Sequence, residues 1–197
     1  GREFLPGDFP RDLRGAQRET QLNLSSHRIG PVDGLFDMRV GKGAHILVGC
    51  GLGGTSLINA SVCIEPEPRV FADAAWPEAI RREGGLAEGY SRARAMLNPQ
   101  PLPPSEKLAK LDALAVSAEA HGVPCGRVNI HVALEDRVNA ANVRQPACTR
   151  CGDCMGGCNV GARSTVHATY LTDAVNHGAD IFTGTQVRYV EKTADGR

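Results

Sequence analysis

Apolar residues along this chain fall into short runs that glycine and proline interrupt. Residues 35–40 alternate in part between apolar and polar side chains, and residues 44–48 end in an apolar run. Between them, Gly41-Lys42-Gly43 has the composition of a tight turn. This pattern predicts two antiparallel strands joined as a hairpin. The preceding residues, 1–31, show little periodicity and are predicted to be extended, with a short helix at 24–29.

Two longer helices are predicted next. Residues 70–97 carry apolar side chains at the spacing of one helical face, at Leu86, Tyr90, Ala93 and Leu97. The proline-rich residues 98–104 end this pattern. A second helix is predicted over residues 105–121, with Gly122 as its C-terminal cap. We interpret the pair as a cap region.

The last third of the chain contains both strand-like and helix-like patterns of apolar residues. Residues 128–132 are predicted to form a strand, residues 165–177 a helix that ends at Gly178, and residues 180–182 and 186–191 two further strands. A strand, a helix and further strands indicate an α/β or mixed α+β fold.

Composition narrows the class of protein. The chain has 197 residues, enough for one core and a small cap. Lys and Arg balance Asp and Glu at 22 each, so neither a nucleic-acid-binding surface nor a polybasic membrane patch is expected. No apolar run approaches the roughly 18 residues of a membrane span. Seven cysteines, four of them clustered, favour a cytoplasmic metal site over a secreted disulfide framework.

The first candidate site is a glycine-rich segment at residues 48–60. Gly49, Gly51 and Gly54 have the spacing G-x-G-x-x-G of dinucleotide-binding loops. Such a loop also needs a second strand that ends in an acidic residue about 20 positions on. Prolines at 66 and 68 interrupt any strand pattern after the loop, and no strand is predicted before Asp73. The residues therefore predict a loop that wraps a ligand closely, but not a simple Rossmann unit.

The second candidate site is a run of four cysteines with ferredoxin-like C-x2-C-x2-C-x3-C spacing, namely Cys148, Cys151, Cys154 and Cys158. Glycines between the thiols allow the backbone to wrap an ion or a cluster. Asn159 stands where ferredoxins have proline, and ferredoxins take their fourth ligand from a distant cysteine. Three alternatives remain open: an iron–sulfur cluster such as [4Fe–4S], a structural Zn²⁺ site, and paired disulfides.

The glycine-rich segment resembles a signature of the glucose-methanol-choline (GMC) flavin oxidoreductases. The matching residues are Gly49-Cys50, Leu52-Gly53-Gly54-Thr55-Ser56 and Ile58-Asn59, with Pro66 and Ala72 downstream. Cys63 departs from the aromatic residue or alanine usual in that family. The resemblance implies FAD as cofactor, with contacts from Gly51, Gly53, Gly54, Thr55, Asn59, Ala60 and Val187. The alternative from the residues alone is a glycine-rich turn before a short helix, with Asn59 as a cap.

The resemblance extends over nearly the whole chain, to the bacterial cholesterol-oxidase-like branch of the family. Residues 161–165 and 169–171 resemble its GAKxT…YL element. The implied organisation is part of an FAD-binding domain at residues 1–68, a cap at 69–145, and a Cys-rich loop that returns to the FAD-binding domain at 146–197. The chain is expected to be an internal fragment with its catalytic residues elsewhere, and none of its six histidines is assigned to catalysis.

The expected function of the parent protein is oxidation of the CH–OH group of an alcohol, sterol-like or otherwise hydrophobic, with hydride transfer to flavin N5. No covalent flavin link is expected, because Ile58 stands where relatives carry the linking histidine. An iron–sulfur centre would add an external electron acceptor as a partner. The alternative function is a small four-cysteine metal or iron–sulfur module with a structural or electron-transfer role.

Overall fold

The computed structural model describes residues 1–82, 86–185 and 187–193. Its five α-helices in the described residues are short: α1 Leu13–Arg18, α2 Glu78–Arg81, α3 Ala87–Leu97, α4 Ala109–Ala120 and α5 Thr172–Asn176. The strands are β1 Thr20–Asn23, β2 Arg28–Ile29, β3 Phe36–Val40, β4 His45–Gly49, β5 Gln100–Pro101, β6 Asn129–Ile130, β7 Arg137–Val138 and β8 Arg144–Gln145. The fold is thus mixed, with helices and small sheets, as the sequence predicts. Within the described ranges, no helix is both long and apolar enough to cross a membrane.

The main sheet has four strands in the order β2-β1-β3-β4. The predicted hairpin is confirmed, because β3 and β4 pair antiparallel and the Gly41 amide donates to the Ala44 carbonyl at 3.0 Å. The predicted helix at residues 24–29 is wrong. The chain instead turns back there as β2 against β1, and β1 pairs in parallel with β3. This non-local pairing outweighs the weak local helix preference.

The two helices predicted between residues 70 and 121 are largely confirmed. Residues 109–120 form α4 and residues 87–97 form α3. Earlier in the predicted 70–97 helix, the described residues contain a 3-10 turn, Pro68–Ala72, and α2, which begins after Pro77. The predicted strands at 180–182 and 186–191 are wrong for the described residues, while Gln186 lies outside them. Residues 187–191 are exposed, and strand propensity without a neighbouring strand forms no ladder of hydrogen bonds.

Two small apolar clusters hold the chain together. The first joins the N-terminal segment to the glycine-rich turn and contains Phe4, Phe9, Leu35, Leu57 and Ile58, with the two phenylalanine rings stacked at 5.7 Å. The second consists of Val132, Ala133 and Ala162, and the half-buried cysteines Cys148 and Cys158 pack against it. The clusters therefore sit beneath the two candidate sites.

Candidate functional site

The glycine-rich segment folds as a strand, a tight turn and a short helix, as predicted. Strand β4 ends at Gly49, and a 3-10 helix, Gly54–Leu57, follows the turn. Gly53 and Gly54 have φ angles of +107° and +60°, which side chains rarely adopt. Gly51 must also lack a side chain, because a Cβ there would lie 2.6 Å from the Leu57 side chain. These positions need glycine for their backbone geometry or close packing.

The two consecutive glycines Gly53 and Gly54 differ in their surroundings. A Cβ on Gly53 would lie 3.0 Å from the His167 backbone nitrogen, so this glycine permits close approach of the turn that precedes α5. His167 Nε2 in turn lies 3.0 Å from a carboxylate oxygen of Glu3. A Cβ on Gly54 would meet no atom within 4 Å. The open side of the turn is therefore at Gly54.

The two hydroxyl groups of the turn bond within the protein. Thr55 Oγ1 accepts a hydrogen bond from the Gly49 amide at 3.1 Å. Ser56 Oγ donates to the Gly53 carbonyl at 2.6 Å and accepts from the Val166 amide at 2.9 Å. Ser56 therefore fastens the glycine turn to the segment that leads into the C-terminal helix.

The remaining predicted flavin contacts are not gathered in one place. The side-chain oxygen of Asn59 accepts from the Ser61 amide at 2.9 Å, which closes a local turn after the short helix; the caps of that helix are Gly53 and Ile58. Ala60 is exposed and lines the cavity of the cysteine loop. Val187 is 76% exposed and lies in a segment without strand pairing. Only the glycines and Thr55 thus share one compact structure.

The cysteine loop, residues 148–158, surrounds a largely apolar cavity. Its four cysteines all line this cavity of about 300 Å³, together with Ala60, Ser61 and Arg163. The loop turns at Gly152, with φ +84°, and at Gly157, with φ +106°. A Cβ on Gly157 would lie 2.0 Å from the Phe9 ring. The four cysteines therefore line one cavity, whereas their joint ligation of one ion or cluster stays a prediction.

The loop does not present a finished metal site. All seven cysteines are free, so the structure contains none of the disulfides that the sequence left open. Among the described residues, no group of three or more His, Cys, Asp or Glu side chains is arranged to hold a metal ion. Four thiolates at about 2.3 Å from one Zn²⁺ therefore do not fit this arrangement. Burial raises the pKa of the Cys148 thiol, and the Arg150 amide donates to its sulfur at 3.4 Å.

Sequence reasoning underestimated Arg163. This side chain is buried, with 2% exposure, and its guanidinium connects the two candidate sites. It donates to Ser61 Oγ at 2.8 Å, the Leu57 carbonyl at 2.7 Å and the Cys154 carbonyl at 2.6 Å, as well as to the Asn59 carbonyl. Burial lowers the pKa of this guanidinium. Two signals in the sequence marked it: its place in the GAKxT-like element and its positive charge close after Cys158.

His131 is a second buried ionisable group near Arg163. Its amide donates to the Ser61 carbonyl, and its carbonyl accepts from the Ser164 amide, both at 3.0 Å. Its ring nitrogen Nδ1 is buried without a hydrogen-bond partner. Burial, and then the charge of Arg163, lower the pKa of His131. The imidazole is therefore held neutral in the folded protein.

Comparison with known proteins places the chain in a class. Residues 32–196 match the family model of GMC oxidoreductases, so the chain belongs to the GMC oxidoreductase family. It is similar to a cholesterol oxidase of Acinetobacter baumannii, at 26% identity over 78% of this chain. A cholesterol oxidase of Mycobacterium tuberculosis is 28% identical over 77% of this chain. The matches cover 30% and 28% of those two proteins, so the chain spans less than a third of the relatives it matches.

Proposed function

We propose that the whole protein is an FAD-dependent oxidoreductase that acts on the CH–OH group of a hydrophobic alcohol, with a sterol as the leading substrate class. Family membership and two relatives that are named cholesterol oxidases support this proposal. The observation that carries it at the level of residues is the glycine turn, whose side at Gly54 is open to a ligand.

The residues of the turn suit a flat, polar cofactor. The absence of a Cβ atom at Gly54 allows close approach of a planar ring system, whereas the space at Gly53 is taken by His167. The residues that would hold FAD in this turn are Gly51, Gly53, Gly54 and Thr55, whereas contacts from Asn59, Ala60 and Val187 rest on the family resemblance alone. A flavin held there would supply the hydride acceptor for oxidation of the alcohol carbon.

This chain's own contribution would be to bind and orient the flavin. Ser56 and Thr55 fix the turn from within, through the Gly53 carbonyl and the Gly49 amide, so little backbone freedom is left to lose on binding. None of the described residues is assigned to removal of the hydroxyl proton. The cap, proposed as residues 69–145, would contribute to the substrate side.

A second candidate function concerns the cysteine loop. We propose that Cys148, Cys151, Cys154 and Cys158 are thiolate ligands of an iron–sulfur centre that passes electrons to an external acceptor. Their common cavity of about 300 Å³ supports this proposal, because it exceeds the room that one ion needs. A cluster also holds its thiolates further apart than a single Zn²⁺ does.

A pair of glycine substitutions tests the flavin proposal. Gly54 and Gly122 have φ angles of +60° and +63°, and a Cβ at either would meet no atom within 4 Å. Gly54→Ala and Gly122→Ala should therefore lose the same stability, about 1–2 kcal/mol. Only Gly54→Ala should weaken FAD binding, by about tenfold, or ~1.4 kcal/mol. FAD titration followed by flavin fluorescence measures this, and equal affinities in the two variants would contradict the proposal.

A further inference from the structure

Arg163 is the one side chain seen to hydrogen-bond to both candidate sites in the described part of the chain. On one side it donates to the carbonyls of Leu57 and Asn59 and to the hydroxyl of Ser61, just after the glycine turn. On the other side it donates to the Cys154 carbonyl at 2.6 Å. A planar guanidinium with five donors in a fixed fork can hold several carbonyls at once. Displacement of the Cys154 backbone would therefore shift Arg163 and, through its hydrogen bonds, the carbonyls of Leu57 and Asn59.

The charge of Arg163 is not balanced by a carboxylate. Its hydrogen-bond partners are backbone carbonyls, the Ser61 hydroxyl and the Cys154 side chain, and within the described residues it makes no ion pair with a carboxylate. The ionisable groups that act on it are the thiols of Cys154 and Cys158. Arg150, the other arginine of the loop, is paired instead with Glu106. A buried cation without an anion is costly, so an anionic group in the adjoining cavity would complete this site.

We infer that Arg163 is a positioning residue that couples an anionic thiolate centre in the cysteine loop to the flavin-side turn. This inference rests on the proposed function of the two sites. The centre and the turn then respond to each other: the thiolates fix the guanidinium, and the guanidinium fixes the carbonyls of Leu57 and Asn59. Loss of Arg163 weakens both sites, whereas loss of a loop cysteine weakens flavin binding through Arg163.

The first experiment measures the centre. The wild type and the variants Arg163→Gln, Arg163→Lys and Arg137→Gln are purified anaerobically and reconstituted with Fe²⁺ and sulfide, or with Zn²⁺ alone. Iron, sulfide and zinc per chain and the visible absorption are then recorded. Arg137 is the control, since its part-buried guanidinium bonds to Gln145 and Ser164 rather than to the loop. Loss of a supporting residue weakens a centre by about 10- to 100-fold, which we expect for both Arg163 variants and not for Arg137→Gln.

The second experiment measures the coupling. Cys154→Ser should weaken FAD binding severalfold, although residue 154 is not a proposed flavin contact. Cys125→Ser is the control, because Cys125 is exposed and lies outside the loop. Circular dichroism verifies that each variant is folded. Arg163→Lys keeps the charge and provides the test if Arg163→Gln does not fold.

The outcomes separate the inference from the function on which it rests. A wild type that takes up a centre while both Arg163 variants retain it equally would overturn the coupling and leave the centre standing. A wild type that takes up neither iron–sulfur nor Zn²⁺ would overturn both. Loss of FAD affinity in Arg163→Gln and Cys154→Ser, but not in the two controls, supports the coupling.

Discussion

Asn159 and Phe9 bond to each other through both groups of the Asn159 side-chain amide. The Phe9 amide donates to Asn159 Oδ1 and Asn159 Nδ2 donates to the Phe9 carbonyl, each at 3.1 Å. The Gly7 amide donates to the same Oδ1 at 3.0 Å. The residue that follows the last cysteine of the loop therefore fastens the N-terminal segment beneath that loop, across 150 positions of sequence.

Replacing Asn159 should destabilise the protein through this connection. Asn159→Leu removes three hydrogen bonds and leaves the part-buried Phe9 groups unpaired, so we expect a loss of about 1–3 kcal/mol in the free energy of unfolding. Asn159→Asp keeps the acceptor for both amides and lacks only the donor, so its free energy of unfolding should decrease less than that of Asn159→Leu. Urea denaturation measures both variants. Equal stability of Asn159→Leu and the wild type would show that the connection contributes nothing.

Local patterns predicted the local parts of this fold. The hairpin of β3 and β4, the turn at Gly53 and Gly54, and the helix over residues 109–120 each depend on neighbours in sequence. The helix predicted at 24–29 failed because β1 pairs in parallel with β3, which lies beyond any local window. Asn159 bonds to Phe9, 150 positions away, and Arg163 bonds to Leu57, 106 positions away, and no spacing rule shows these contacts.

Gly157 should be the least replaceable glycine of the cysteine loop. Its backbone, at φ +106° and ψ 152°, lies in a region that is almost restricted to glycine. A Cβ there would also lie 2.0 Å from the Phe9 ring. We expect Gly157→Ala to lose more than about 3 kcal/mol, the sum of backbone strain and overpacking, as measured by thermal unfolding.

Two matched variants separate these two causes. Gly152 has φ +84°, but a Cβ there would meet no atom within 4 Å, so Gly152→Ala should lose about 1–2 kcal/mol from strain alone. Gly43 has neither a positive φ nor a neighbour within 4 Å, so Gly43→Ala should change stability little. The loss of stability should therefore be largest for Gly157→Ala, intermediate for Gly152→Ala and smallest for Gly43→Ala. A Gly157→Ala protein as stable as Gly43→Ala would contradict this order.

The two candidate sites differ in how far the sequence defines them. The cysteine spacing predicted the shared cavity, because glycines at 152 and 157 turn the chain between nearby thiols. It did not predict the ligating distances, since these depend on whatever the thiols bind. The flavin contacts beyond the glycine turn came from resemblance alone. Asn59 and Val187 show why: the Asn59 side chain accepts from the Ser61 amide and Val187 is exposed, and neither geometry follows from the motif.

His131 should make stability depend on pH in one window. Burial and the charge of Arg163 lower the pKa of His131 in the folded state, whereas the unfolded chain has the ordinary value of about 6.5. Below pH ~6.5 the unfolded chain binds a proton that the folded protein does not. The contribution of His131 to the free energy of unfolding is therefore fully present above pH ~6.5. It falls as the pH decreases from there toward the lowered pKa of the folded state.

The measurement compares urea denaturation of the wild type and His131→Gln at about pH 7.5 and about pH 5.5, on either side of the unfolded pKa. The wild type should lose more stability than His131→Gln over this interval, because the glutamine cannot take up the proton. His121→Gln is the control, since His121 is exposed at the end of α4 and should leave the wild-type difference intact. A pH dependence that is unchanged in His131→Gln would mean that the buried imidazole is not the group that titrates on unfolding.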